Sequence, residues 1–113
     1  MPIHLLHERA TPSQLGEMLG EHRQMIKIVV DIRRGVLAGG GEMHADCESI
    51  LLGDGSEQDD LWGANWYPAD GRVEYESLIN IRPRLGNRSP VVQSQQTRDV
   101  IDQTARRLLG GAQ

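Results

Sequence analysis

His44, Asp46 and Glu48 stand at i, i+2 and i+4 in the stretch His44-Ala45-Asp46-Cys47-Glu48. On a β-strand that spacing sends all three side chains from one face, so an imidazole sits beside two carboxylates. Such a set suits general acid–base catalysis. Within it, His44 with Asp46 is the pair for a metal ion such as zinc, manganese or iron. The same pattern also arises on any antiparallel sheet with one wet face, where polar and apolar residues alternate. A second concentration lies at Arg82-Pro83-Arg84-Leu85-Gly86-Asn87-Arg88-Ser89. There Arg82, Arg84, Asn87, Arg88 and Ser89 offer forked donors, an amide and a hydroxyl to a phosphate or carboxylate. The competing occupants for those arginines are the protein's own acids.

Those acids are concentrated. The chain has 113 residues, 12 Lys+Arg against 16 Asp+Glu, and a net charge of -4. Residues 1–41 carry +1, residues 42–71 carry -8 with no Lys or Arg, and residues 72–113 carry +3. Eleven of the twelve basic residues are Arg, the side chain that forms planar, bidentate contacts. An acidic chain argues against a nucleic-acid partner. Opposite charges on one small domain favour self-association or steer a charged partner.

Other patterns exclude more than they assign. Gly39-Gly40-Gly41 leads into an expected strand and not a helix and has no Gly-Lys-Ser/Thr, so it reads as a bulge or wide turn and not a phosphate loop. Cys47 is the only cysteine, which rules out an internal disulfide and a cysteine zinc cluster, and its neighbours predict a buried thiol. There is no Gly-x-Ser-x-Gly elbow, and His4, His7 and His22 form no ligand spacing. Trp62 and Trp66 read as core anchors. No cofactor is expected.

The elements that must hold these residues follow from periodicity. Ile3 to Leu6 is a short strand or arm. Thr11-Pro12-Ser13-Gln14 starts a helix with a capping box, and Leu15, Met18, Leu19 and His22 form its apolar stripe. Ile26, Ile28, Val30 and Ile32 alternate as a strand does. Residues 35–41 read as a glycine-rich connection. Residues 42–52, 61–67 and 72–82 read as a three-stranded meander joined by turns at Gly53-Asp54-Gly55-Ser56 and Pro68-Ala69-Asp70-Gly71. Setting Leu52 opposite Leu61 and Tyr67 opposite Arg72 collects Met43, Ala45, Cys47, Leu51, Trp62, Ala64, Trp66, Val73, Tyr75, Ile79 and Ile81 on one face. His44, Asp46, Glu48, Asn65, Tyr67, Glu74, Glu76, Asn80 and Arg82 fall on the other. Val100, Ile101, Thr104, Ala105, Leu108 and Leu109 mark a final helix ended by Gly110.

Taken together, Val30-Asp31-Ile32, Leu37 to Glu42, His44 to Glu48, Trp62 to Pro68 and Ile79 to Ser89 carry a resemblance. The chain resembles a small uncharacterised family of bacterial, largely cyanobacterial proteins, a domain of unknown function. The resemblance implies a bacterial, cytoplasmic protein and no particular activity.

The expected fold is a single α+β domain over residues 1–113. It is a two-layer sandwich, with an antiparallel sheet of about four strands and N- and C-terminal helices covering one face. The expected function is a small non-catalytic binding or interaction module, homodimeric, with a small anionic ligand or a protein as partner. The alternative is a small hydrolase or ribonuclease-like enzyme. It would hold an anion on the Arg82–Ser89 loop and use His44, Asp46 and Glu48 for acid–base or metal chemistry. No leader or membrane span is expected, which places the chain in the cytoplasm.

Overall fold

Thr11 Oγ1 accepts the Gln14 N–H at 3.1 Å, and Gln14 Oε1 accepts the Thr11 N–H at 2.9 Å. This reciprocal cap starts the first helix, α1 (Pro12–Leu19), where the sequence predicts it. The computed structural model describes residues 2–20 and 24–110, so His22 of the apolar stripe lies outside the described residues. β-branched alternation produces a strand, here β2 (Ile26–Asp31), with Ile26, Ile28 and Val30 buried on one side. Around it lie β1 (Ile3–Leu6), β3 (Val36–Gly40), β4 (Leu61–Tyr67) and β5 (Arg72–Glu74), in the spatial order β1-β3-β2-β4-β5, every neighbour antiparallel. The fold is α+β with five strands, one more than expected.

The terminal helix, α3 (Gln95–Leu109), starts at Ser94, whose Oγ accepts the Thr97 N–H at 3.2 Å. It buries Ile101, Thr104, Ala105, Leu108 and Leu109. Together α1 and α3 cover the sheet face formed by Ile26, Ile28, Val30, Leu37, Trp62, Ala64 and Trp66. Val73 and Tyr75 pack against this same core, and the register Tyr67↔Arg72, Trp66↔Val73 is the expected one.

Three expectations are corrected. Residues 42–52 are not a strand but carry a helix, α2 (His44–Gly53). Cys47 and Leu51, one turn apart, are fully buried against Val29, Val36, Ala38 and Leu61 on the second sheet face. That helix adds a third layer to the two expected, and β2, not residues 42–52, is the neighbour of β4. The glycine-rich connection is strand β3, paired on both sides. Its glycines fit because α1 lies directly on it: a Cβ on Gly39 would stand 3.1 Å from the Met18 sulfur, and Gly40 takes φ +110°.

The third correction concerns residues 72–82, where pairing stops at Glu74. Beyond it, residues 75–92 close on themselves, with the Val92 N–H donating to Tyr75 O at 2.9 Å and the Ser77 N–H to Pro90 O at 3.0 Å. Two short 3-10 turns, Leu78–Asn80 and Pro83–Leu85, shape this segment. Ile79 packs on the α2 side and Ile81 is exposed, so neither joins the Trp62 face. The Asn80 side chain takes over where the strand ends. Its Oδ1 accepts the Gly63 N–H at 2.8 Å, and its Nδ2 donates to Gly63 O at 2.9 Å and to Pro90 O at 3.0 Å. One amide thus supplies both bonds that a longer β5 would have given β4 at Gly63.

The close approach needs Gly63 itself, because a Cβ there would lie 2.5 Å from Ser77 Cβ. Gly63→Ala should therefore lower stability by about 2 kcal/mol through overpacking. A urea unfolding midpoint equal to that of the wild type would contradict this contact. Among the described residues no helix is long and apolar enough to cross a membrane.

Candidate functional site

The Arg82–Ser89 loop is occupied from within. Arg82 Nη2 donates to Glu48 Oε2 at 3.0 Å, and Nη1 donates to Leu61 O. The Arg82 and Glu48 side chains are only 10% and 14% exposed. Burial pulls the Arg82 guanidinium below its ordinary value, against the pull of Glu48. Arg84 grips Asp59 with both terminal nitrogens, which holds the Asp59 carboxyl below its usual range. Asn87 is buried and serves as scaffold: its Nδ2 donates to Asn80 O, Ser89 O and Val91 O, and its Oδ1 accepts the Gln93 N–H. Ser89 Oγ accepts the Val91 N–H at 3.0 Å. Of the five residues offered for an anion, Arg88 alone has a side chain with no hydrogen bond or ion pair among the described residues.

Pairing of this kind runs through the acidic segment. Arg33 meets Asp60 at 2.7 Å and Glu57 at 4.0 Å, Arg34 meets Asp54 at 2.8 Å, and Arg72 meets Asp70 at 3.7 Å. With Glu48 and Asp59, six of the eight acids in residues 42–71 face a guanidinium of the same chain. Glu42 and Asp46 do not, among the described residues. The innermost knot is at the β2–β3 turn, where fully buried Asp31 accepts the Arg33 and Arg34 N–H groups at 2.9 Å and the Ser56 hydroxyl at 2.6 Å. Arg34 Nη1 then donates to Ser56 Oγ at 2.7 Å.

The expected strand face of His44, Asp46 and Glu48 does not exist. On a helix, residues two apart point nearly opposite ways, so Asp46 is exposed on a different side from His44. His44 and Glu48 stay on one side, but Glu48 is committed to Arg82. No group of three or more His, Cys, Asp or Glu able to hold a metal occurs among the described residues. What His44 joins instead is a chain across the sheet. Its Nε2 donates to Ala64 O at 2.9 Å and lies 3.1 Å from Asn65 Oδ1. Asn65 Nδ2 donates to Glu74 Oε1 at 2.9 Å, and the Tyr67 hydroxyl donates to the same oxygen at 3.3 Å. A carbonyl only accepts, so Nε2 carries the proton and Nδ1 of the neutral ring keeps its lone pair. The β4–β5 register that puts Asn65 beside Glu74 follows from the sequence; the arrival of His44 from a helix does not. The sequence places Asn80 only on a polar sheet face and Ser56 only in a turn, and nothing in it marks Lys27.

Burial holds His44 below the usual imidazole value of 6.5, and the Lys27 ammonium adds to this against the pull of Ala64 O and Asn65. The unfolded chain therefore takes up this proton at a higher pH than the folded one. The stability the site contributes is complete above about pH 6.5 and is lost as pH falls through the lower folded value. His44→Gln keeps a donor for Ala64 O and removes the titration. From about pH 7.5 to about pH 5.5 the wild type should lose more stability than His44→Gln, read from urea midpoints. Parallel losses in the two proteins would contradict the assignment. Cys47, fully buried, donates its thiol to Gly40 O at 3.3 Å, and burial pushes its pKa up to about 12. It is a core thiol and not a nucleophile.

With this geometry in place, comparison with known proteins gives a family. The sequence model of a family described as a protein of unknown function (DUF5674) covers residues 4–108. No curated protein and no solved structure matches the chain.

Proposed function

The chain belongs to the DUF5674 family of proteins of unknown function, and from that premise we propose that it is a small non-catalytic binding module of the bacterial cytoplasm that works as a homodimer. The observation that carries this reading is the apolar edge of residues 78–85. Leu78 is 78% exposed, Ile81 43% and Leu85 38%, although the segment that presents them is pinned by Asn80 and Asn87. A contiguous exposed apolar patch on an ordered backbone is a mark of a contact surface. Leu78, Ile81 and Pro83 line a shallow groove of about 350 Å³ whose walls include Glu48, Arg82 and Arg84. Leu52, one helical turn from Glu48, is 41% exposed on the same side of α2.

Segregated charge favours self-association, but the acids here are paired within the protomer, which weakens that attraction. The walls of the groove are neutralised by their own protomer, so a partner needs to bring apolar cover and not opposite charge. A second copy brings the same surface through a two-fold contact. Burying one such leucine or isoleucine is worth about 1.5–3 kcal/mol, and this term does not fade with salt as ion pairs do. Light scattering should give a dimer mass at both low and high salt. A monomer under both conditions would remove the proposal.

One observation favours the hydrolase reading as second choice: a neutral imidazole fixed in one tautomer by Ala64 and Asn65 is what a general base requires. Turnover of a chromogenic ester or phosphodiester that disappears in His44→Gln would put that reading first.

A further inference from the structure

A recess of about 610 Å³ opens between α1, α3 and the β4–β5 turn, and shares no residue with the groove at residues 78–85. Its apolar wall includes Leu15, Trp66, Pro68 and Leu109, and Arg9 and Arg106 also line it. This size falls in the range of small-molecule sites, which combine an apolar lining with a few polar groups.

Two arginines give it a ligand chemistry. Arg9 donates from Nη1 to Gly110 O at 2.8 Å and forms no ion pair among the described residues. Arg106 is tied to Asp102 through Nε alone, its guanidinium stands 6.0 Å over the Trp66 ring, and Nη1 faces Gly71 at the rim. The one acid on the rim, Asp70, is turned to Arg72, accepting its N–H at 3.2 Å.

We propose that this recess binds a small planar aromatic molecule carrying one carboxylate. The ring lies on the apolar wall beside Trp66, and the carboxylate accepts from Arg9 and Arg106. Two fork-shaped guanidiniums suit the two oxygens of a carboxylate.

The test is a titration of ¹⁵N-labelled protein with 1-naphthoate, following the Trp66 indole resonance, which Trp66→Phe identifies by its loss. A saturable shift of that resonance is expected. Neutral 1-naphthamide and the Arg9→Gln variant should each bind about tenfold more weakly, equivalent to about 1.4 kcal/mol. Thermal melting of Arg9→Gln checks that it is folded, and the comparison of charged with neutral probe needs no variant. No saturable shift at millimolar naphthoate, or equal affinity for naphthoate and naphthamide, would overturn the proposal. Failure here leaves the dimer reading intact, because that is decided by mass.

Discussion

Asn80→Ala should cost about 4 kcal/mol of stability and lower Tm by roughly 15 °C. Asn80 is fully buried, and its amide is the partner of the Gly63 N–H, Gly63 O and Pro90 O. Alanine leaves the buried Gly63 N–H and Gly63 O unmatched, each worth about 1–3 kcal/mol, while Pro90 O keeps the Ser77 N–H. The loss would also release the turn that carries Leu78 and Ile81, so the apolar edge depends on this amide. Asn80→Leu separates bonding from bulk: it restores volume but no hydrogen bond, and should be as damaging as alanine. If leucine recovers wild-type stability in urea unfolding, the side chain acts as filler and not as a stand-in for a strand.

Glu48→Ala should cost about 3 kcal/mol. The substitution leaves the Arg82 guanidinium, 10% exposed, with Leu61 O and the face of Trp62 at 5.3 Å as its remaining partners. Breaking a nearly buried pair strands a charge, whereas replacing both members by apolar residues removes the problem. The double change Glu48→Leu with Arg82→Met should therefore recover most of the loss. Denaturant unfolding measures both. A cost below about 0.5 kcal/mol for Glu48→Ala would mean that the pair behaves as an exposed one, and that the loop is freer to take an anion than its geometry implies.

Much of the fold was legible where local signals agreed with tertiary packing. The Thr11/Gln14 cap, the alternation of Ile26, Ile28 and Val30, and the stripe of α3 all form as expected. So does the β4–β5 register, because apolar and polar residues sort cleanly in only one alignment. Residues 42–52 misled because their apolar positions satisfy two periods at once. Met43, Cys47 and Leu51 alternate as in a strand, while Cys47 and Leu51 also stand at i, i+4, and a short segment of this kind is decided by its neighbours. Strand β3 was hidden by Gly39 and Gly40, whose lack of side chains is what lets α1 settle on it.

At the site, the clustering of acids and arginines was visible, but their matching was not. Arg82 and Glu48 are 34 positions apart and meet only because α2 lies on the second sheet face. The role of Asn80 could not be found from pattern at all, since a side-chain amide acting as backbone leaves no periodic trace.

The central claim is that the exposed edge at residues 78–85 joins two copies of the chain by apolar contact. Sedimentation equilibrium of the wild type and of Leu78→Asp in high salt tests it most directly, because Leu78 is 78% exposed and its replacement leaves the core untouched. The account predicts a dimer mass for the wild type and a monomer mass for a Leu78→Asp protein that melts at the wild-type temperature. A wild-type monomer, or a variant that remains a dimer, would contradict it.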